Sequence, residues 1–187
     1  MNYQSLQAQI QKRFSNGFQF FASYSWSKWM GLCCDAQGDG QPEIPIPQYY
    51  NLNYAVMPGD RTNNFQVSSI YELPFGKNKQ YLTRGVGAAI AGGWQVNAIL
   101  QFYSGSPFSV TAPGTSLNAP SPQRADQIKS HVAIYGPHGL TSPYFDTSAF
   151  APVTTARFGT APFDSVRGPG FGNMDFGFSV PFGSRTG

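Results

Sequence analysis

The chain has 187 residues, of which only 11% are charged and 16% are aromatic, with 21 glycines and 15 prolines. Soluble domains carry about 25% charged residues, so this composition argues against an ordinary soluble surface. The 12 basic and 9 acidic residues give a formal net charge of +3, and the basic residues are scattered, which excludes the concentrated basic surface of a nucleic-acid-binding protein.

No segment approaches the ~20 consecutive apolar residues that a membrane-spanning helix requires. The most apolar stretch, residues 86–96, is short and contains several glycines. The first residues, Met1-Asn2-Tyr3-Gln4, lack the basic and apolar regions of a secretory signal. We therefore expect the chain to begin inside a longer exported protein.

The first predicted strand covers residues 5–14. Its even positions carry Leu6, Ala8, Ile10 and Phe14, whereas its odd positions are mostly glutamine, and this period of two is typical of a β-strand. The tripeptide Ser-Asn-Gly at positions 15–17 follows. Asn-Gly supplies the positive φ angles of a two-residue hairpin turn, so the sequence predicts a tight hairpin here.

Four further segments show the same alternation, at residues 18–27, 64–73, 94–103 and 173–180. Over the five segments, 22 of the 24 positions on one face are apolar, against 4 of 24 on the other. Segments of about ten residues match tilted membrane strands better than the ~5–6 residues common in soluble proteins. The polar face is rich in Gln, Asn and Ser, which suits the wet interior of a barrel.

The connections between the predicted strands differ greatly in length. Residues 28–63 and 104–172 form two long connections, and residues 74–93 form an intermediate one. Outer-membrane barrels alternate short periplasmic turns with long outward loops. We expect part of residues 74–93 to extend the flanking strands, and the two long connections to be poorly packed loops.

These features predict an all-β fold, namely a segment of an antiparallel up-and-down transmembrane β-barrel. It would form an incomplete barrel, an open curved sheet with long loops, in which the apolar face meets lipid. Aromatic residues near the segment ends would form the interfacial girdles of such a barrel. The residues predicted to face lipid are Leu6, Ile10, Phe18, Phe20, Phe65, Val67, Val96, Leu100, Phe176 and Phe178.

Several stretches, in order along the chain, resemble the barrel of Oar-like TonB-dependent receptors. They cover Tyr3 to about Phe178. The stretches begin with Tyr3-Gln4-Ser5-Leu6-Gln7, Ala22-Ser23-Tyr24-Ser25-Trp26 and Tyr71-Glu72-Leu73-Pro74-Phe75-Gly76, and continue with Gly92-Gly93-Trp94-Gln95, Tyr103-Ser104-Gly105-Ser106-Pro107-Phe108, Tyr144-Phe145-Asp146 and Arg167-Gly168-Pro169-Gly170-Phe171.

The resemblance implies a place in the outer membrane of a Gram-negative-type bacterium. It also implies a large barrel with an N-terminal plug, energised by the TonB complex for uptake or export of a bulky ligand. The sequence has no TonB box or plug, carries Val180 where the family tends to have a basic residue, and matches only partly around Arg61. We therefore interpret residues 1–187 as a partial barrel domain. Its partners would be outer-membrane lipid, the remaining strands and plug of the parent protein and, through that parent, the TonB complex.

The main alternative is a secreted or surface β-sandwich that binds carbohydrate, or mediates adhesion, through exposed aromatics such as Tyr49, Tyr50 and Tyr54. A sandwich buries its apolar faces against a second sheet, whereas a barrel wall turns its apolar face to lipid. An enzymatic function has no supporting constellation, since the serines near His131 and His138 lie in proline-rich segments without a nucleophile elbow. We expect neither catalysis nor a cofactor.

Four smaller motifs favour simple interpretations. Cys33-Cys34 lack the spacing of a metal or redox motif, so they predict two loop thiols or a vicinal disulfide. The acidic, glycine-rich residues 35–40 lack the closing glutamate of a calcium loop and predict a turn. The glycine-rich residues 168–172 lack a following helix and predict a turn that leads into a strand. The basic group Lys77, Lys79 and Arg84 predicts a solvated connection or a membrane surface.

Overall fold

The computed structural model describes residues 1–32, 44, 46–118, 122–137, 139 and 141–180. One helix, α1 (Gly85–Ala91), and three short 3-10 segments, Pro47–Asn53, Gly114–Leu117 and Thr147–Ala149, occur among these residues. The strands are β1 (Asn2–Ser15), β2 (Phe18–Leu32), β3 (Tyr54–Val56), β4 (Asn63–Glu72), β5 (Gln95–Tyr103), β6 (Pro107–Phe108), β7 (Thr111–Ala112), β8 (Gln123–Arg124), β9 (Asp126–Gln127), β10 (Phe150–Ala151), β11 (Val166–Arg167) and β12 (Phe171–Ser179).

The main sheet runs in the order β1-β2-β4-β5-β12, with β3 paired to the end of β2. The pairs β2–β4, β4–β5 and β5–β12 are antiparallel. The five long strands are those that the period of two predicted, and they are neighbours in chain order. The prediction of an all-β, antiparallel and open sheet is therefore confirmed.

The strand bounds differ from the prediction mainly at β1 and β2. β2 continues to Leu32, five residues past the predicted end, because its last residues pair with β3. In that pairing Met30 lies opposite Val56, and Leu32 lies opposite Tyr54. The sequence did not predict this extension, because the partner strand β3 has only three residues, too few to show a period of two.

The turn between β1 and β2 has the predicted two residues. Asn16 and Gly17 have φ angles of 51° and 74°, as a type I′ hairpin turn requires. Glu72 at the end of β4 donates its backbone N–H to the Gly17 carbonyl at 2.7 Å. The β1–β2 turn and the β4–β5 connection therefore lie at the same end of the sheet.

The connection from β4 to β5 does not extend the strands, so that expectation is wrong. It contains α1 instead, and the backbone at Gly76 approaches Gly92 so closely that a Cβ on Gly76 would lie 2.6 Å from the Gly92 Cα. Only glycines allow this approach. The Trp94 Nε1–H donates to the Ile90 carbonyl at 2.7 Å and ties the start of β5 to the helix.

The chain divides into two compact units. The sheet unit comprises Leu6–Trp26, Asn63–Tyr103 and Phe171–Gly187, and the loop unit comprises Met1–Ser5, Ser27–Thr62 and Ser104–Gly170. In the loop unit three two-stranded pairings form, β6–β11, β7–β8 and β9–β10.

The loop unit has a core of its own. Ile44, Ala55 and Phe163 are buried together, and Leu52, Met57 and Phe158 pack against them. The expectation of poorly packed loops is therefore wrong for the described residues. Glycine explains part of the close packing, because a Cβ on Gly159 would lie only 2.0 Å from the Arg124 carbonyl oxygen.

Candidate membrane-spanning wall

The hydrogen-bonded register sorts the side chains of β2, β4, β5 and β12 onto two faces. Residues directly opposite one another in an antiparallel sheet share a face. One face therefore consists of four rows that cross the strands. The rows are Phe18, Tyr71, Val96 and Phe178; Phe20, Ser69, Ala98 and Phe176; Ala22, Val67, Leu100 and Met174; and Tyr24, Phe65, Phe102 and Gly172.

Eight of the ten residues predicted to face lipid lie in these rows, on this apolar face. The other two, Leu6 and Ile10, lie on β1 and are each 65% exposed. Phe176 and Phe178 on β12 are 65% and 68% exposed. The structure therefore places eight of the ten residues on one face of the sheet, and their contact with lipid stays a prediction.

Three aromatic rings lie in each end row of the apolar face. Of the two rows between them, one has Phe20 and Phe176 with Ser69 and Ala98, and the other has no aromatic side chain. At the turn end Phe18 packs against Tyr71 edge to face, with 6.1 Å between ring centroids. At the other end the rings of Phe65 and Phe102 stack at 6.4 Å. The two end rows are six positions apart on β2, from Phe18 to Tyr24, which is about 20 Å along a strand. Aromatic girdles on either side of an aliphatic band are typical of outer-membrane barrels.

Gly172 leaves room for one ring of the far aromatic row. It lies opposite Phe102, and a Cβ at this position would come within 2.9 Å of the Phe102 ring. The glycine-rich turn predicted at residues 168–172 does lead into a strand, since β12 begins at Phe171.

The opposite face is mostly polar, and its amides donate to hydroxyl and carboxylate oxygens of the neighbouring strands. The Gln66 Nε2–H donates to the Tyr103 hydroxyl at 3.0 Å, and the Gln95 Nε2–H donates to Glu72 Oε1 at 3.1 Å. Asn97 donates to the Ser179 hydroxyl at 3.1 Å. The face carries few charges, and its apolar or aromatic residues include Phe21, Ile70, Ile99 and Tyr103. Such a surface suits a hydrated interior better than a hydrocarbon one.

A comparison with protein families identifies the kind of sheet. Residues 1–183 match the family described as outer membrane beta barrel domain. The chain belongs to that family. Its sheet is therefore wall of an outer-membrane β-barrel, and its location is the outer membrane. Comparison with curated proteins and with solved structures finds no match.

The β-sandwich alternative is wrong for this barrel domain. Apart from the main sheet, the sheets of the described residues have two strands each, so they include no second large sheet. Tyr49, Tyr50 and Tyr54 belong to the loop unit and keep substantial exposure. The Tyr49 ring also contacts the Phe158 ring at 5.3 Å.

A buried ion pair fixes two distant segments of the loop unit. The Asp60 carboxylate is fully buried, and the Arg167 guanidinium pairs with it across 107 positions of sequence. Asp60 also accepts from the Trp29 backbone N–H at 2.7 Å and from the Thr62 hydroxyl at 3.1 Å. Arg167 donates further to the Gly105 carbonyl at 3.2 Å. A buried carboxylate needs such partners because it has lost water.

Arg124 is a buried cation of the loop unit. Its guanidinium donates to the carbonyls of Leu52, at 2.9 Å, and of Ala161. It also lies 4.6 Å from the centre of the Phe163 ring, an arrangement that favours a cation–π interaction. Arg124 thus links the buried aromatic core to two loop backbones.

Two further ion pairs of the loop unit are more accessible. Arg157 contacts both carboxylate oxygens of Asp126 at 2.7 Å. These hydrogen bonds lower the pKa of Asp126 and raise that of Arg157. Lys129 contacts Asp146 at 2.7 Å and, with help from Ser148, lowers the pKa of that carboxyl. Both carboxylates therefore stay ionised at neutral pH.

The remaining sequence candidates are not assembled into a site. Cys33, Cys34, the acidic residues 35–40 and His138 lie outside the described residues. His131 is exposed. Among the residues that the structure describes, no three His, Cys, Asp or Glu side chains are grouped so as to hold a metal ion. No helix in the same residues is long and apolar enough to cross a membrane.

Sequence reasoning missed the buried polar residues of the loop unit. Asp60 and Arg167 are too far apart in sequence to give a local pattern, and Arg124 lies in a segment without periodicity. The usable signal was indirect. Arg167 belongs to one of the stretches that resemble the receptor family, and Asp60 follows a Pro-Gly pair that predicts a turn.

Proposed function

We propose that the chain is part of the barrel wall of a TonB-dependent outer-membrane receptor of a Gram-negative-type bacterium. The full-length parent would use energy from the TonB complex for uptake or export of a bulky ligand. In this proposal the apolar face contacts lipid, the polar face lines the barrel interior, and the barrel domain has no enzymatic activity.

One observation carries the proposal for the wall. The register joins the apolar side chains of four strands into a continuous face with aromatic rows at both ends, while the amides lie on the other face. A soluble sheet would have to cover this apolar face with protein. A membrane covers it with lipid tails and places the aromatic rings near the headgroups.

Two observations support the receptor part. The edges of β1 and β12 are open in the sheet of described residues, and lipid does not tolerate unpaired backbone groups. Five strands fall far short of the ~22 of an outer-membrane transporter, so further strands would complete the barrel. The ordered stretches that resemble Oar-like receptors favour a TonB-dependent parent with a plug.

The loop unit supports a receptor in a second way. In outer-membrane barrels the long loops face outward, and here the two long connections contribute most of a unit with its own buried core and ion pairs. A packed unit of this kind can present a fixed surface to a large ligand. The exposed rings of Tyr50 and Tyr54 would belong to that surface.

The facing of the wall can be tested with one pair of substitutions. In the full parent protein Leu100→Arg should impair assembly by ~2–4 kcal/mol, because it places a cation on the lipid face near the middle of the membrane. Gln101→Arg, its neighbour on the polar face, should be mild. The measurement is the fraction of heat-modifiable, folded barrel in membranes. Equal tolerance of the two substitutions would contradict the assigned faces.

The TonB dependence needs a separate test. The full parent protein in detergent should bind the purified periplasmic domain of TonB, and a parent without its TonB-contacting segment should not. If the intact parent did not bind TonB, the receptor proposal would be overturned, whereas the assignment of the sheet as barrel wall would stand.

A further inference from the structure

The β4–β5 connection carries an open depression of about 600 Å³ beside helix α1. Lys77, Asn78, Thr83 and Arg84 line it on the loop side, and Gly85 and Ala88 line it on the helix side. It belongs to the sheet unit and lies at the same end of the sheet as the Asn16-Gly17 turn. Short turns of outer-membrane barrels face the periplasm, so this end would meet the inner, phospholipid leaflet.

Two of the three cations of this connection are available to a ligand. Lys79 is engaged, because its Nζ lies 2.5 Å from Glu72 Oε2. Lys77 and Arg84 are exposed, and neither pairs with a carboxylate among the described residues. Both contribute to the wall of the depression. An anion there would meet two uncompensated positive charges.

Apolar side chains lie next to these cations and point into solvent. Val86 and Ile90 of α1 are 75% and 70% exposed. They are four residues apart, so they share one face of the helix. Tyr81 and Leu82, just before the helix, are also exposed. A connection in contact with water alone would gain no stability from exposing apolar side chains beside cations.

The helix is joined to the apolar face of the wall. Trp94 donates its indole N–H to the Ile90 carbonyl and accepts from the Leu73 backbone N–H at 2.8 Å. It lies two residues before Val96, in register with the apolar face. The exposed apolar residues of α1 thus continue a surface that already ends in an aromatic row.

We propose that residues 77–94 dock onto anionic phospholipid headgroups at this edge of the barrel. Lys77 and Arg84 bind the lipid phosphate, and Leu82, Val86 and Ile90 insert between the first acyl carbons. Arg suits this role because its planar guanidinium donates two parallel hydrogen bonds to a phosphate. The inference rests on the proposed lipid contact of the apolar face, because the same bilayer must surround the wall.

The experiment measures the lipid preference of the full parent protein in bilayers. Spin-labelled phosphatidylglycerol and phosphatidylcholine are compared at the protein surface, in mixed vesicles of the two lipids. The native protein should prefer phosphatidylglycerol, and K77Q/R84Q should lose up to about fivefold of that preference for each cation removed. The control K129Q/R157Q removes the same two residue types outside the docking segment, and both are paired with carboxylates, so it should keep the preference.

The outcomes separate this inference from the proposed function. A parent that does not fold into vesicles would overturn the barrel-wall proposal itself. A folded parent whose preference is absent, or equally reduced in both double variants, would overturn only the docking inference. The docking inference would also be overturned if the parent in detergent bound inorganic phosphate tightly, lost that binding in K77Q/R84Q and showed no lipid preference. If K77Q/R84Q folds poorly, K77Q and R84Q alone should each show part of the loss.

Discussion

The sheet unit and the loop unit place their apolar side chains in opposite ways. The buried apolar residues among those described, such as Val153, Phe163 and Val166, all belong to the loop unit. The sheet unit instead exposes large side chains, including Phe65, Met174 and Phe176. The loop unit thus stabilises itself as a small soluble domain does, whereas the sheet unit depends on what surrounds it.

The same contrast holds for polar groups. The loop unit buries Asn53, Asp60, Gln123 and Arg124 and pairs the charged ones with specific partners. The sheet unit keeps its amides on one face, where they donate to side chains of neighbouring strands. A substitution in the loop unit should therefore lower stability by removing internal contacts. The effect of a substitution in the wall should depend on the face of the sheet on which the side chain lies.

The largest expected effect is on the isolated chain without lipid. Its apolar face and the open edges of β1 and β12 would be uncovered, and such surfaces aggregate. Expressed without detergent, the 187-residue chain should elute as soluble aggregate or be insoluble. Size-exclusion chromatography is the measurement. A sharp monomer peak with a cooperative thermal transition would break the comparison, because a closed core would then have to cover the wall.

The next largest effect concerns the buried ion pair of the loop unit. Arg167→Leu leaves the Asp60 carboxylate buried with only neutral donors. Breaking a fully buried pair costs ~3–5 kcal/mol. We expect about 2–3 kcal/mol here, since the Arg167 side chain is 32% exposed. Hydrogen exchange of the Trp29 amide in the membrane-inserted parent should accelerate accordingly.

The heat-modifiable fraction supplies the control for Arg167→Leu. It should stay unchanged, because the wall does not depend on this pair. A variant that loses the folded barrel together with the loop protection would show that the two units are stabilised jointly.

A smaller effect should follow from Gly159→Ala in the loop unit. The added Cβ would lie 2.0 Å from the Arg124 carbonyl oxygen, and rotation of a side chain cannot relieve a clash with backbone. Overpacking of this kind costs ~1–3 kcal/mol. The control is Gly168→Ala, whose Cβ would keep an ordinary 3.5 Å from the Ser106 oxygen. Equal hydrogen exchange in the two variants would contradict the close approach.

The difference between the units also explains what the sequence could predict. The long strands of the wall follow from a period of two, and the first hairpin follows from Asn16-Gly17, because both are local patterns. Helix α1 gave no such signal, since its seven residues include two glycines and its place depends on the contact between Gly76 and Gly92. The pairing of Asp60 with Arg167 depends on loop packing across 107 positions, which no local pattern contains.

The smallest expected effect concerns the pH dependence of Asp126. The Arg157 guanidinium lowers the pKa of this carboxyl below the ordinary 3.8. A group whose folded-state pKa is depressed stabilises the fold above its ordinary pKa, and that contribution is lost as the pH falls through the folded value. The pair should therefore support the loop unit at neutral pH and weaken only below about pH 4. In Arg157→Gln the pKa of Asp126 should move back toward 3.8, although the Thr160 N–H at 3.2 Å keeps it somewhat lowered.

The measurement is an NMR titration of labelled aspartate carboxyls in the folded parent, with Asp146 as the internal control, because its partner is Lys129. An unchanged Asp126 midpoint in Arg157→Gln would show that the two-point contact does not form in solution.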